Sequence, residues 1–341
     1  MNSAPDLMRA DALSTHFAMR QGLGDRLRQR GAGLVRAVDR VDLRVASGEI
    51  VGLVGESGCG KTTLGRTILG LLPAAEGTLT FDGVDITRAG RGEWRALRRR
   101  MQMIFQDPYA SLSPRMRVSA LLEEPYRIHD VPPAERYAVH ELLEMVGLSS
   151  EQAEKYPHEL SGGQARRIGI ARTLALRPEF IVADEPTSGL DVSAAAAILN
   201  LIQDLRRQHG LAFLVITHNV NTLAFLADRV AVMYLGRVVE SGTTADVLER
   251  PSHPYTRSLL AAVPDIEPDG VDVERAALIE GEIPSPLDPP SGCRFRTRCP
   301  HARPGICEAS PTLAEVAPGH AIACIRWPEV RDDEAWAQSG V

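Results

Sequence analysis

The stretch Gly55-Glu56-Ser57-Gly58-Cys59-Gly60-Lys61-Thr62 has the spacing G-x-x-x-x-G-K-[ST], which suits the binding of a polyphosphate. Glycines let a backbone curl so that successive N–H groups converge on phosphate oxygens. Lys61 adds a point charge for β and γ phosphates, and the Thr62 hydroxyl can ligate Mg²⁺. Thr62 and Thr63 open a helical pattern that runs to Leu72. Its N-terminus offers about half a positive charge to the same anion. Cys59 reads as a small loop residue rather than a reactive thiol. Farther along, Asp184-Glu185 closes the apolar run Phe180 to Ala183. Carboxylates at the end of a buried strand are costly unless they face a cation or a catalytic water. Asp184 suits the holding of Mg²⁺, and Glu185 the polarising of an attacking water. His218, at the end of the run from Ala212, is placed to sense or polarise a γ-phosphate. Taken alone, each of these reads as a solvated strand end or a structural histidine. Beside a phosphate loop they read as a hydrolytic set.

Such residues need a rigid frame. Ile50 to Val54, Phe180 to Ala183 and Ala212 to Ile216 are continuous apolar runs, the pattern of parallel strands buried on both faces. Helical patterns lie between them, as in an α/β fold. Gly77 to Phe81, Asp82-Gly83 and Val84 to Ile86 read as a hairpin around an Asp-Gly turn. From about 107 to 175 the strand signal gives way to helical patterning, as in Glu141 to Val146, which predicts an inserted helical subdomain. The fold class expected is an α/β phosphate-loop core with a mostly parallel sheet, an antiparallel β subdomain and that helical insert.

Bulk properties exclude several classes. The 341 residues carry a formal net charge of -6, so no global attraction to nucleic acid is expected. Basic runs such as Arg95 to Arg100 read as solvated helix faces. Met1 to Asp11 lacks the basic and apolar regions of a secretory signal, and no apolar stretch nears the roughly 18 residues of a spanning helix. Any work at a membrane would therefore go through a partner, from the cytoplasmic side.

Leu160-Ser161-Gly162-Gly163-Gln164 is a second glycine-rich turn before a helix, at about Arg166 to Leu174. One domain has no need of two γ-phosphate cradles about a hundred residues apart. They make sense if each protomer completes its partner's site. Together with the phosphate loop, Gln106, Asp184-Glu185, Ser188-Gly189-Leu190-Asp191 and His218, this pentapeptide closely resembles ABC ATPase domains, across residues 11 to 250. The resemblance implies a head-to-tail dimer holding two ATP molecules, with Ser161, Gly162, Gly163 and Gln164 acting on the partner's ATP. It also implies that Gln106 reaches Mg²⁺ and the water, that Asp191 crosses the interface, and that Phe17 stacks on adenine. Phe17 could equally be core. Phe105 to Pro114, Tyr156-Pro157-His158-Glu159 and His253-Pro254-Tyr255-Thr256 resemble the peptide-importing branch. That branch implies a second ATPase subunit (identical or a paralogue), two permease subunits and an extracytoplasmic solute-binding protein, at the inner membrane's cytoplasmic face. Nickel chelates or haem precursors are alternative solutes. A soluble switch on DNA or ribosomes is the rival class, disfavoured by a single ABC unit and the negative charge. Ala165-Arg166, Gly189 and Asn219 are small departures that remove no catalytic group.

From Pro251 the composition changes, and eleven of 23 prolines fall between Pro264 and Pro328. Such a tail, expected as a small extension over 251–341, buries little core and needs docking or a cross-link. Cys293, Cys299, Cys307 and Cys324 stand in it, without the C-x₂-C pairs usual for zinc ribbons. Four thiolates suit a [4Fe–4S] cluster or Zn²⁺. The tail's similarity to cluster-holding segments of peptide-transporter ATPases ranks the cluster first, zinc second and free thiols last.

Overall fold

The computed structural model describes residues 5–18, 34–263 and 281–330. The outer ends of the expected domains, part of the stretch between Phe17 and Val41, and 264–280 of the tail lie outside these. In chain order the strands are β1 (Asp6–Ala18), β2 (Leu34–Ala46), β3 (Ile50–Val54), β4 (Glu76–Phe81), β5 (Val84–Asp85), β6 (Met101–Ile104), β7 (Phe180–Asp184), β8 (Ala212–Ile216), β9 (Arg229–Tyr234), β10 (Arg237–Thr243), β11 (Ala314–Ala317) and β12 (His320–Ile322). The helices are α1 (Lys61–Ile68), α2 (Arg91–Arg100), α3 (Val118–Ile128), α4 (Val139–Met145), α5 (Gly162–Leu174), α6 (Val192–His209), α7 (Val220–Leu226), α8 (Thr244–Leu248), α9 (Pro254–Ala261) and α10 (Trp327–Val330). Two compact units divide the chain. The first holds Met1–Arg9, Arg44–Ile50 and Thr80–Thr217, the second Ala10–Leu43, Val51–Leu79 and His218–Val341.

In the first unit β6, β7 and β8 run parallel, with Met101 opposite Phe180 and Phe180 opposite Ala212. Every residue of β7 and β8 is buried, and all but Asp184 are apolar, as in strands covered on both faces. The crossover between them is α6, which starts on the side-chain cap of Asp191 and stops at Gly210 in the left-handed region. The hairpin expected at Asp82-Gly83 is present: Phe81 faces Val84, and the two turn residues have φ of 50° and 76°. Among the described residues, 107–175 carries helices and short 3₁₀ turns but no strand. Leu121, Leu122, Leu142, Leu143 and Ile168 of α3, α4 and α5 are fully buried there.

In the second unit β3 lies parallel to β9, with Val54 opposite Val232. Strand β10 pairs antiparallel with β9, and β12 pairs antiparallel with β10. The hairpin β11–β12 thus extends the sheet from within the proline-rich tail, through main-chain hydrogen bonds rather than a core of its own. Helix α1 is shorter than its pattern predicts. It closes before Gly70, whose φ of 62° continues no helix. Helix α5 is longer than predicted and begins at Gly162, because Ser161 caps it.

Candidate functional site

The phosphate loop follows β3, all five residues of which are buried. Its conformation depends on two glycines. Gly55 has φ 156° and a Cβ there would lie 2.1 Å from the Met233 carbonyl oxygen; Gly60 has φ 109° and a Cβ would lie 2.1 Å from the Ala37 oxygen. Only hydrogen fits at either place. Gly60 is also the left-handed N-cap of α1, and no side chain caps that helix. Lys61, 8% exposed, turns back over the loop: its Nζ donates to the carbonyl oxygens of Gly55 at 2.7 Å and Glu56 at 3.0 Å. Cys59 is buried, and burial pushes its thiol up despite Lys61 beside it, so it is a packing residue. Ser57 and Gly58 are exposed at the loop's crest, while Thr62 and Thr63 sit half-buried in the first turn of α1. Phe17, at the end of β1, is 40% exposed and so is not a core residue. His218 is exposed just before α7. Asn219 beside it is the N-cap of that helix, its Oδ1 accepting from the N–H groups of Asn221 and Thr222, which explains one departure seen in the sequence.

In the first unit Asp184 is buried at the end of β7 and Glu185 turns away from the strand. Glu185 has φ 48°, a conformation that costs a non-glycine residue energy and recurs at functional sites. The Glu185 N–H donates to the Ile216 carbonyl at 2.8 Å, and the Thr217 hydroxyl donates to its Oε2 at 3.3 Å. Its carboxylate is therefore oriented rather than loose. Gln106 is exposed on the loop after β6. That loop is ordered by Asp107, whose Oδ1 accepts from Tyr109 and Ala110 N–H groups, and by the Tyr109 hydroxyl donating to the Leu160 carbonyl at 3.0 Å.

Leu160 leads into the second glycine-rich turn. Ser161 Oγ accepts from Gln164 N–H at 3.3 Å while Gln164 Oε1 accepts from Ser161 N–H at 3.0 Å, a reciprocal capping box. Gly162 and Gly163 differ from the phosphate-loop glycines. A Cβ at either would meet its nearest atom at ordinary contact distance, 3.8 Å from Leu190 and 3.7 Å from Ala194. Neither has a positive φ. Asp191 caps α6 by accepting from the Ala194 N–H at 2.8 Å, and the next residue, Val192, is 88% exposed.

Two residues of this unit escape a sequence reading. Arg166 is 2% exposed and donates to the Phe105 carbonyl at 2.7 Å and the Ser188 carbonyl at 3.1 Å. It ties the Gln106 loop, the LSGGQ helix and the loop before Asp191 to one guanidinium. Nothing in an arginine pair after a glycine turn signals burial. Thr217 is the other, and the only hint is its place beside His218.

In the second unit Cys293, Cys299, Cys307 and Cys324 all line one pocket, with Phe295, His301 and Arg326. Burial pushes the Cys299 thiol up to about 12 and that of Cys324 to about 11. Among the described residues no three His, Cys, Asp or Glu side chains are drawn together at metal-binding spacing. The four cysteines thus line the same pocket without being gathered into a metal-binding group.

Comparison with known proteins agrees with this picture. The family description "ABC transporter" matches residues 38–188, and "Oligopeptide/dipeptide transporter, C-terminal region" matches residues 239–307. The oligopeptide transport ATP-binding proteins OppF of Escherichia coli and of Salmonella typhimurium are each 47% identical over 296 residues, 86% of this chain and 88% of theirs. Among solved structures, the dimeric post-hydrolysis state of the ATP-binding cassette MJ0796 bound to ADP and Pi is similar at TM-score 0.60 and 26% identity, covering 70% of this chain and 98% of that one. The cassette cbiO1 from Clostridium perfringens, part of the transporter complex cbiONQ, is similar at TM-score 0.60 and 25% identity, covering 72% and 91%. The fold is that of the ABC ATPases, and no described helix is long and apolar enough to cross a membrane. The chain belongs to the ABC transporter family, as an ATP-hydrolysing subunit that carries the oligopeptide/dipeptide transporter C-terminal region.

Proposed function

We propose that this chain binds and hydrolyses ATP to drive a membrane importer of di- or oligopeptides, as the names of its relatives suggest. Residues Gly55 to Thr63 cradle the phosphates and Phe17 stacks on adenine. Thr62, Gln106 and Asp184 are the groups that would hold Mg²⁺, which neutralises the charge on the β and γ phosphates. Glu185 polarises the attacking water, and His218 contacts the γ-phosphate. The ATP-binding domain spans about 1–250 with its helical subdomain at about 107–175, and 251–341 form the extension.

The observation that carries this reading is the contrast between the two glycine turns. Gly55 and Gly60 are required by the chain's own backbone, whereas among the described residues a Cβ at Gly162 or Gly163 would meet only side-chain atoms at ordinary contact distance. A turn left open in this way suits a ligand brought by another molecule. Ser161, Gly162, Gly163 and Gln164 therefore act on ATP held by a second ATPase subunit, and Asp191, beside the exposed Val192, crosses to it. Two permease subunits and a solute-binding protein complete the importer, with this chain peripheral on the cytoplasmic face. Cys293, Cys299, Cys307 and Cys324 would hold a [4Fe–4S] cluster, or zinc, as a staple for the tail. Specific ATPase activity measured against protein concentration tests the shared site. It should rise as dimers form, and full activity in a dilute monomer would refute it.

A further inference from the structure

The segment between the first two tail cysteines reaches the phosphate loop directly. Arg298 Nη1 donates to Glu56 Oε2 at 2.8 Å and Nη2 donates to Oε1 at 3.0 Å, a bidentate pair spanning 242 residues of sequence. The pair is largely dry, with the two side chains 6% and 19% exposed. Glu56 is held at its other end too: its N–H donates to the hydroxyl of the buried Tyr255 at 2.9 Å. Its carbonyl is one of the two acceptors on which Lys61 Nζ rests. Any displacement of Glu56 therefore moves the cradle and the resting place of its lysine together.

The same segment is braced at two further points. Phe295 packs its ring 5.3 Å from that of Tyr234 and 5.4 Å from that of Tyr255. Arg294 pairs with Asp39 and with the Leu235 carbonyl. The Asp39 N–H donates to the Gly236 carbonyl, and the Gly236 N–H donates to the Cys59 carbonyl, each at 2.8 Å. Arg298 thus grips the start of the loop, while Arg294 leads to its middle. The geometry points to Arg298 as a positioning residue for nucleotide binding, acting through Glu56, and to Cys293–Cys299 as the segment by which the tail sets the phosphate loop. Arg298 never meets ATP in this account; it fixes the shape that does. A lysine cannot reproduce the fork, because its ammonium is a single point charge. The inference rests on the reading of Gly55 to Thr62 as the ATP site.

The test is MgADP affinity by titration calorimetry on the full chain, alongside thermal melts. Arg298→Ala should weaken MgADP roughly tenfold, about 1.4 kcal/mol. Arg298→Lys should recover part of that, and KM for ATP should rise with kcat nearly unchanged. Arg303→Ala removes an exposed tail ion pair with Glu329 that does not reach the loop, and should leave the affinity alone. Unchanged affinity in Arg298→Ala with a lowered melting temperature would overturn the inference, as would an equal loss in Arg303→Ala. If Arg298→Ala fails to fold, Glu56→Gln reads the same contact from the loop side, and wild-type affinity there would overturn it. A wild-type chain that binds no MgADP would sink the ATP-site reading itself, an outcome distinct from the others.

Discussion

The phosphate loop and the LSGGQ turn are both glycine-rich starts to helices, yet their glycines answer to different demands. At Gly55 and Gly60 an added Cβ would strike backbone oxygens at 2.1 Å, and both residues sit at positive φ. At Gly162 and Gly163 it would meet side chains at 3.8 and 3.7 Å, and the helix is already capped by Ser161 and Gln164. The first turn is shaped by its own fold. The second leaves room that its own fold does not forbid a side chain to fill, which is why it is proposed to meet a partner's nucleotide.

The largest effect belongs to neither turn and fixes the scale for both. Glu185→Gln should lower turnover by about 10²–10⁴ while ATP still binds, since a positioned base is lost and the cradle is untouched. Steady-state phosphate release with nucleotide titration checks this, and near-normal hydrolysis would remove Glu185 from the role. Next in size, Gly60→Ala should destabilise the folded chain by about 3 kcal/mol in urea unfolding, because backbone must move to admit the methyl group. A smaller and opposite signature is expected from Gly163→Asp. Within the chain a carboxylate in the first turn of α5 is electrostatically favourable. Facing a partner's triphosphate it is repelled. Its stability should stay within about 0.5 kcal/mol of wild type while turnover falls roughly tenfold or more. Equal stability losses in the two glycine variants would erase the comparison. Smallest of all at the ATP site is Cys307→Ser. Anaerobically purified wild type should be brown with about four irons per chain, and the variant pale, with MgADP affinity changed less than about threefold. A colourless wild type holding one zinc would favour the other metal.

The parts legible in the sequence are those whose causes are local. Ile50 to Val54, Phe180 to Ala183 and Ala212 to Ile216 read as buried strands because both faces are apolar, and the structure has them so. The phosphate loop and the Asp82-Gly83 hairpin follow from backbone rules spanning a few residues. The rest depends on contacts far apart in sequence. Arg298 meets Glu56 across 242 residues and Arg294 meets Asp39 across 255, and no periodicity announces either. Arg166 follows a glycine turn, where an arginine ordinarily faces solvent, yet it is buried against two loop carbonyls. Asn219 stood out only as a departure, and capping accounts for it.

Mixing two inactive chains tests the central claim most directly. Glu185→Gln disables the site built on its own phosphate loop, and Gly163→Asp disables the site built on its partner's. A mixed dimer therefore keeps one intact site, made of the wild-type halves of both chains. At concentrations where wild type reaches its highest specific activity, an equimolar mixture should recover up to about a quarter of the wild-type rate, since half the dimers are mixed and each has one working site. For a chain that pairs with itself, a mixture no more active than the mean of the two variants measured separately would contradict the account.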